Sequence, residues 1–280
     1  MIISIIGLGL IGGSMAIDLK RCAFASQIIG VDNNPSHCDQ ALELGIVDEI
    51  KTLDEAIWIA DIIILSIPVD SMVKLLPNIL DKIDKHSVIT DVGSTKFNLI
   101  ESVKDHPKRK RYVASHPMAG TEYSGPKAAV KNLFQEKVSI ICNKEESDED
   151  AVRHIEKMYR ALYMKIIYMD AKEHDVHAAY VSHISHISSF VLANTVLEKE
   201  KSASNIFNLA SGGFASTVRL AKSSPQMWSP IFVQNSENIL QVLETYIQKL
   251  TEFKNLIEQK DLNSLENKMS EANEIRKIIK

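Results

Sequence analysis

The chain has 280 residues, of which 45% are hydrophobic, so it is long enough for two domains that each bury a core. A formal net charge of −4 gives no overall attraction to nucleic acid or to an anionic membrane, which favours small molecules as partners. The three cysteines match neither a disulfide framework nor a zinc pattern, and the N-terminus shows neither an export signal nor a run long enough to span a bilayer. These features predict a protein of the reducing cytoplasm that is not embedded in a membrane.

Short β-branched runs alternate with helical periodicity over the first 169 residues, which is the pattern of a parallel sheet wound with helices. The predicted strands are nearly continuous apolar runs, as expected where helices cover both faces; they span residues 2–6, 28–31, 62–66, 88–91, 112–115, 138–141 and 166–168. After Asp170, a predicted N-cap, the strand pattern stops, and helices are predicted at 171–200, 205–210, 225–254 and 262–279. The sequence therefore predicts an α/β fold, with a doubly wound, mostly parallel sheet over residues 1–170 and an all-helical domain over 171–280.

The first predicted strand runs directly into Gly7-Leu8-Gly9-Leu10-Ile11-Gly12, which opens the first predicted helix. A G-x-G-x-x-G in this position is the fingerprint of a Rossmann dinucleotide-binding domain. Gly7 allows a tight turn, Gly9 lets the backbone approach a pyrophosphate, and Gly12 permits close packing of helix and strand. The N–H groups at the start of the helix, at Leu10 and Ile11, are expected to bind the phosphates.

Asp32 ends the second predicted strand, about 20 residues beyond the last glycine, where an acidic side chain accepts hydrogen bonds from ribose hydroxyls. Its carboxylate would repel a 2′-phosphate, and the next three residues supply no arginine, so the sequence predicts NAD rather than NADP. Ser66, Pro68 and Asp91 lie at the carboxyl ends of two further strands, where α/β sheets hold ligands. We expect these three residues to line the nicotinamide end of the cofactor.

His116 directly follows another predicted strand at the same edge of the sheet. Its ordinary pKa near 6.5 suits it to accept a proton from a hydroxyl while hydride leaves the same carbon. Ser94 follows the fourth predicted strand, where it could orient this histidine or the substrate. On position alone, a turn histidine next to a proline is an equally good interpretation of His116.

Six segments together resemble the prephenate dehydrogenase family of tyrosine biosynthesis, and the resemblance covers essentially the whole chain. They are residues 7–12 with Asp32, 91–96, 115–120, 179–186, 211–219 and 224–231. The resemblance implies oxidative decarboxylation of prephenate to 4-hydroxyphenylpyruvate with NAD⁺ as hydride acceptor, His116 as base and Ser94 as its orienting partner. It also implies a homodimer formed by the helical domain, whose helices carry apolar residues at helical spacing.

Segment 179–186 resembles the family's Ser-His-Leu-Pro-His sequence. The match implies that Ser182, His183 and His186 are polar groups of the substrate pocket. Ser185 replaces the family proline, a change that should relieve a kink in the helix.

Segment 211–219 resembles the family's glycine-rich turn, which leads to an arginine that holds a substrate carboxylate. The match implies Gly213 and Arg219 as substrate-binding residues, since an arginine fork can bind a carboxylate through two hydrogen bonds. Trp228, in segment 224–231, matches a tryptophan at a helix start and either lines the pocket or fills the helical core.

His174 and His177 form a second H-x-x-H pair on the helix that carries His183 and His186, so a metal site has to be considered. At about 100° per residue, however, the two pairs point to nearly opposite sides of the helix. The sequence therefore predicts no metal site. With one face turned to the substrate, His174 and His177 are expected to be solvated.

Three alternatives to prephenate oxidation remain at this stage. Arogenate dehydrogenase performs the same chemistry on a substrate with an amine in place of the keto group, and the sequence does not decide between the two. A β-hydroxyacid dehydrogenase should carry a catalytic lysine where this chain has His183 and His186. A non-catalytic NAD-sensing regulator could use the basic run 108–111 to contact an acidic partner, although such a run is more typical of a solvated loop.

Overall fold

The computed structural model describes residues 1–200 and 212–278. Its centre is one eight-stranded sheet with the strand order β3-β2-β1-β4-β5-β6-β7-β8. The strands are β1 Ile2–Ile6, β2 Gln27–Val31, β3 Glu49–Ile50, β4 Ile62–Leu65, β5 Val88–Asp91, β6 Tyr112–Pro117, β7 Val138–Cys142 and β8 Lys165–Met169. All neighbouring strands run parallel except β6 and β7. The predicted mostly parallel α/β sheet is confirmed, and only the two-residue β3 was not predicted.

Two layers of helices bury the apolar faces of the sheet. The helices of the first half are α1 Leu10–Arg21, α2 Pro35–Glu43, α3 Leu53–Ile59, α4 Val69–Lys82, α5 Phe97–Glu101 and α6 Glu149–Ala161. On one side, Met15 of α1 and Ile155 of α6 pack in a core cluster with Ile3 and Ile5 of β1. On the other side, α4 contributes Met72, Leu76 and Ile79 to a second cluster. Because both faces are covered, central strands such as β1 and β4 are apolar at almost every position.

Asp170 is the N-cap of the next helix, as predicted, because it accepts hydrogen bonds from the N–H groups of Lys172 and Glu173. The helices of the helical half are α7 Ala171–Ala178, α8 Ile184–Glu200, α9 Gly212–Thr217, α10 Pro225–Gln234, α11 Ser236–Gln259 and α12 Leu262–Ala272. A π turn, Ala179–His183, joins α7 to α8. The helix is thus irregular immediately before Ser185, even though the family proline is absent. The predicted helix 205–210 lies outside the described residues.

The helical half packs onto the carboxyl edge of the sheet. Trp228 and Ile231 of α10 belong to the same buried cluster as Met72 of α4. Thr95, just after β5, donates from Oγ1 to Oε1 of Gln234 at 2.8 Å. These contacts cover part of that sheet edge with helices, whereas Pro68 at the end of β4 stays exposed. Within the described ranges, no helix is both long and apolar enough to cross a membrane.

Candidate active site

The glycine-rich loop after β1 has the shape of a phosphate cradle. Gly7 has a φ of +100°, and a Cβ there would lie 2.2 Å from the carbonyl oxygen of Ser66. A Cβ on Gly12 would lie 2.1 Å from the carbonyl oxygen of Gly7, whereas a Cβ on Gly9 would meet nothing within 4 Å. Gly9 is also the N-cap of α1 and offers no side chain to the N–H groups of the first turn. These residues fit a dinucleotide, whose pyrophosphate would lie at Gly9 and the N–H groups of Leu10 and Ile11.

This geometry separates the glycines by experiment. Gly9→Ala should leave the melting temperature nearly unchanged but weaken NAD⁺ binding by about tenfold or more, because its new methyl group would occupy the space of the pyrophosphate. Gly12→Ala should instead lower the melting temperature, because its methyl group would collide with backbone. Thermal unfolding and titration with NAD⁺ measure the two effects. Equal NAD⁺ affinity of Gly9→Ala and the parent protein would contradict this assignment of the loop.

Asp32 lies at the end of β2, beside the glycine-rich loop. Its Oδ2 accepts a hydrogen bond from the N–H of Leu8 at 2.9 Å, and its Oδ1 accepts one from the N–H of Asn34 at 2.9 Å. The two bonds hold the carboxylate at the loop. Nδ1 of His37 lies 3.5 Å from Oδ2, and Oδ1 retains a second lone pair for a ribose hydroxyl. Ser66 is half-buried and Pro68 exposed at the end of β4. Both therefore remain candidates for cofactor contact.

The structure corrects the prediction for Asp91, whose carboxylate is fully buried and faces the protein interior. Oδ2 forms an ion pair with Nζ of Lys96, which is also fully buried. Oδ1 accepts from the hydroxyl of Tyr112 at 2.7 Å and from the N–H of Ser115 at 3.2 Å. Nζ of Lys96 also donates a hydrogen bond to the carbonyl oxygen of Ser115 at 2.8 Å. The carboxylate of Asp91 thus tethers β5 to β6 beneath the site and does not line the nicotinamide end.

His116 lies near the carboxyl end of β6 and is only 8% exposed. Its Nδ1 is 2.8 Å from Nε2 of His174, and Nδ1 of His174 is 2.8 Å from Oδ1 of Asp175. Burial holds the pKa of His116 well below its ordinary value, and His174, Lys96 and His183 add to the effect. His116 is therefore a neutral imidazole at neutral pH, the form that can accept a proton.

The expectation that His174 is solvated is wrong, whereas His177 is exposed as expected. Helix α7 packs against α5 and α11, so its face with His174 is buried while its face with His177 stays exposed. The partner of His116 at Nδ1 is His174, and Ser94, which was expected to orient His116 or the substrate, is half-buried. Sequence reasoning missed His174, Asp175 and Lys96; the only signals were an H-x-x-H pair and a lysine within segment 91–96 of the family resemblance.

His183 is buried in the π turn, next to His174. Its Nδ1 is 3.1 Å from Nδ2 of Asn235, and this amide group also donates to the carbonyl oxygen of Asp175 at 2.7 Å. Burial lowers the pKa of His183 to about 4. Nε2 of His183 is buried without a partner among the described residues, as is Nε1 of Trp228. The rings of His183 and Trp228 are thus each buried with one nitrogen that is free to bond to a ligand.

His186 stacks on Trp228, with ring centroids 3.5 Å apart and an angle of 27° between the planes. Nδ1 of His186 is 3.0 Å from the carbonyl oxygen of Ser182, so it donates there and leaves Nε2 as an acceptor when the ring is neutral. Burial lowers the pKa of His186 as well. Trp228 is 6% exposed, stacks on His186 and belongs to the buried cluster beside α4.

Arg219 is exposed at the start of a 3₁₀ turn that follows α9. Its Nη1 donates to Oε2 of Glu122 at 2.8 Å, which links the helical half to the loop after β6. The Arg219 side chain stays 51% exposed in this pair. Gly213 is exposed in α9, and Ser211 of the predicted glycine-rich turn lies outside the described residues.

The basic run at residues 108–111 is not a solvated loop throughout. Arg109 and Arg111 are 6% and 8% exposed. Arg109 pairs with Glu146 at 2.7 Å, and Arg111 pairs with Asp150 at 2.8 Å. Half of the run is therefore committed to internal ion pairs, which weakens the hypothesis that it binds an acidic partner.

The whole chain is similar to known dehydrogenases. The model of the prephenate dehydrogenase nucleotide-binding domain matches residues 15–168, and that of the prephenate dehydrogenase dimerization domain matches residues 170–271. Prephenate dehydrogenase of Bacillus subtilis is 31% identical over 262 residues, which cover 92% of this chain and 71% of that protein. Cyclohexadienyl dehydrogenase of Zymomonas mobilis is 30% identical over 280 residues, or 99% of this chain and 96% of that one. The crystal structure of Aquifex aeolicus prephenate dehydrogenase with hydroxyphenyl propionate and NAD⁺ has a TM-score of 0.87 and 30% identity, and covers 100% of this chain and 98% of that chain.

Proposed function

The chain belongs to the prephenate dehydrogenase family, and from that premise we propose that it catalyses the NAD⁺-dependent oxidative decarboxylation of prephenate to 4-hydroxyphenylpyruvate. One observation carries the proposal beyond family membership. A buried, neutral histidine, His116, lies at the same sheet edge as the glycine-rich loop, because β1 and β6 both end there. The activity and the three free cysteines together fit an enzyme of the reducing cytoplasm.

The reaction needs a proton acceptor, anchors for two carboxylates and the exclusion of water. When bound, NAD⁺ supplies the acceptor for the hydride that leaves C4 of the ring. Nε2 of His116 accepts the proton of the C4 hydroxyl as that oxygen gains carbonyl character. The ring carboxylate then leaves as CO₂, aromatisation drives the step, and the proton returns from His116 to the phenolate oxygen. The buried rings of His183 and Trp228 exclude water and offer N–H groups to the substrate.

Arg219 is proposed to bind a substrate carboxylate through its exposed fork. Arg219→Lys should raise KM for prephenate by about 10- to 100-fold with a much smaller change in kcat, because lysine retains the charge but not the bidentate geometry. Arg153→Lys, on the exposed face of α6, is the matched control and should change neither constant. Steady-state kinetics at saturating NAD⁺ give the answer. An unchanged KM in Arg219→Lys would remove this residue from the substrate site.

The direct test of the function is NADH formation by the purified protein, with each of prephenate and arogenate offered together with NAD⁺ or NADP⁺. Turnover of prephenate with NAD⁺ is the expected result, and a strong preference for NAD⁺ is expected from the carboxylate of Asp32 at the loop. Failure of both substrates would overturn the proposal.

Arogenate is the second candidate substrate, because one relative is a cyclohexadienyl dehydrogenase and prephenate and arogenate share a cyclohexadienyl ring. The two substrates differ only in the side chain, which carries a keto group in prephenate and an amine in arogenate. The proposed roles of His116 and of the cofactor loop are the same for both. A higher kcat/KM with arogenate in the assay above would reassign the substrate and leave the mechanism intact.

We further propose that the protein is a homodimer formed through the helical half, which matches the family's dimerization domain. An apolar stripe on α11 is more than half exposed, and consists of Leu240, Ile247, Leu250 and Ile257. Light scattering at micromolar concentration should give twice the chain mass of 31.3 kDa. Leu250→Glu should reduce this mass to that of a monomer, whereas Trp58→Ser, on α3, should not. A monomeric parent protein would contradict the proposal.

A further inference from the structure

Asp175 anchors a chain of hydrogen bonds that ends at His116. Its Oδ1 accepts from the N–H of Lys96 at 2.8 Å, and its Oδ2 accepts from the N–H of Phe97 at 2.9 Å. Both bonds fix the carboxylate at the start of α5. Oδ1 also faces Nδ1 of His174 at 2.8 Å. Because a carboxylate oxygen only accepts, Nδ1 of His174 must be the donor in this contact.

The direction of this bond sets the next one. A neutral imidazole carries one donor and one acceptor, so a proton on Nδ1 of His174 leaves a lone pair on its Nε2. That lone pair faces Nδ1 of His116 at 2.8 Å, which must then carry a proton. Nε2 of His116 is left with its lone pair directed away from His174. This tautomer of His116 is the one that can accept a hydroxyl proton.

His183 is held in the opposite tautomer by a separate contact. The carbonyl oxygen of Asp175 accepts a hydrogen bond from the side chain of Asn235. The atom of Asn235 that lies near both Asp175 and His183 must therefore be its amide nitrogen, Nδ2. Its second N–H points at Nδ1 of His183, so Nδ1 accepts and Nε2 carries the proton. His116 and His183 are thus held in opposite neutral tautomers, with the proton on Nδ1 in His116 and on Nε2 in His183.

We propose that His174 and Asp175 are positioning residues that hold His116 in the Nδ1–H tautomer and share the charge while His116 carries the substrate proton. The inference rests on the proposed function for its chemical role. As Nε2 of His116 takes the hydroxyl proton, the Nδ1 proton can move to Nε2 of His174, and the positive charge then lies beside the Asp175 carboxylate. Both protons move back when the phenolate oxygen is protonated after CO₂ has left. No oxidant or other reactant is needed.

The kinetic test is His174→Phe, which keeps a ring of similar size and removes both nitrogens. We expect kcat to fall by about 10²- to 10³-fold, the loss typical for removal of one preorganised hydrogen-bond partner, with KM for prephenate and Kd for NAD⁺ within about twofold of the parent values. His177→Phe, on the exposed face of the same helix, is the matched control and should keep full activity. Unchanged kcat in His174→Phe would overturn the proposal.

The second measurement needs neither turnover nor a variant that folds poorly. Two-bond ¹H–¹⁵N correlation spectra of the ¹⁵N-histidine-labelled parent protein with NAD⁺ report which ring nitrogen carries the proton, and His116→Asn identifies the resonances of His116. We expect an unprotonated Nε2 in His116 and a protonated Nε2 in His183, which serves as the internal reference. A protonated Nε2 in His116 would overturn the proposal. Inactivity of the parent protein towards both substrates would instead refute the proposed function, and the tautomer would still be measured.

Discussion

Replacing His116 with asparagine should lower kcat for prephenate oxidation by about 10²- to 10⁴-fold, the loss typical of a positioned base. Asparagine can still bond to His174 but cannot accept and hold a proton. Because His116 is at the sheet edge and not in the glycine-rich loop, Kd for NAD⁺ should stay within about twofold of the parent value. Stopped-flow kinetics and NAD⁺ titration of the same preparation measure both quantities. Undiminished kcat would exclude His116 as the base.

The pH profile of the parent protein provides an independent check on His116. The neutral imidazole is the active form, and burial holds its pKa well below the ordinary 6.5. Activity should therefore remain flat as pH falls through 6.5 and decline only in more acidic solution. A decline centred on the ordinary histidine pKa would mean that the titrating base is a solvated group elsewhere. The profile should be recorded as kcat/KM, which reports on the free enzyme.

Replacing Lys96 with methionine should strongly destabilise the fold. It leaves the Asp91 carboxylate fully buried without its cation, a loss that typically costs about 3–5 kcal/mol in the free energy of unfolding. Lys96 also donates to the carbonyl oxygen of Ser115, so β5 and β6 lose a second tie. Urea unfolding monitored by circular dichroism gives the free energy.

Two further variants separate charge burial from simple loss of packing at Lys96. Lys104→Met removes an exposed lysine that pairs with Glu101 nearby, and should change stability little. The double variant Lys96→Met/Asp91→Asn should recover part of the loss, because no uncompensated charge remains. If Lys96→Met were as stable as the parent protein, the buried ion pair would not be holding β5 to β6.

The fold was predictable to the extent that each element carries its own pattern. Runs such as Ile62–Leu65 are apolar at every position because helices cover both faces, and that pattern is visible in four residues. Glu49–Ile50 is too short to show any pattern. The reversed direction of β7 was also invisible, since an apolar run looks the same whichever way its strand points. The break at Asn235 between α10 and α11 has no glycine or proline to mark it.

The candidate site divides in the same way between local and distant contacts. The glycine-rich loop and Asp32 were predictable because the fingerprint is contained within one βαβ unit. The pairing of His116 with His174 joins residues 58 positions apart, and only the packing of α7 against the sheet edge brings them together. The sequence places His174 on a helix face, but it does not say that a second element covers that face. Roles that depend on such distant contacts, including those of Asp175 and Asn235, could therefore not be predicted from the sequence.

The enclosed histidines also couple the stability of the whole fold to proton concentration. His116, His183 and His186 all have pKa values below the ordinary 6.5. Below that pH these three histidines are protonated in the unfolded chain but remain neutral in the native state. The free energy of unfolding must then fall as the solution acidifies, and the contribution of His183 to this fall continues until the pH approaches its pKa of about 4. A cluster assembled to keep imidazoles neutral thus makes the native state acid-labile, well before most carboxylates are protonated.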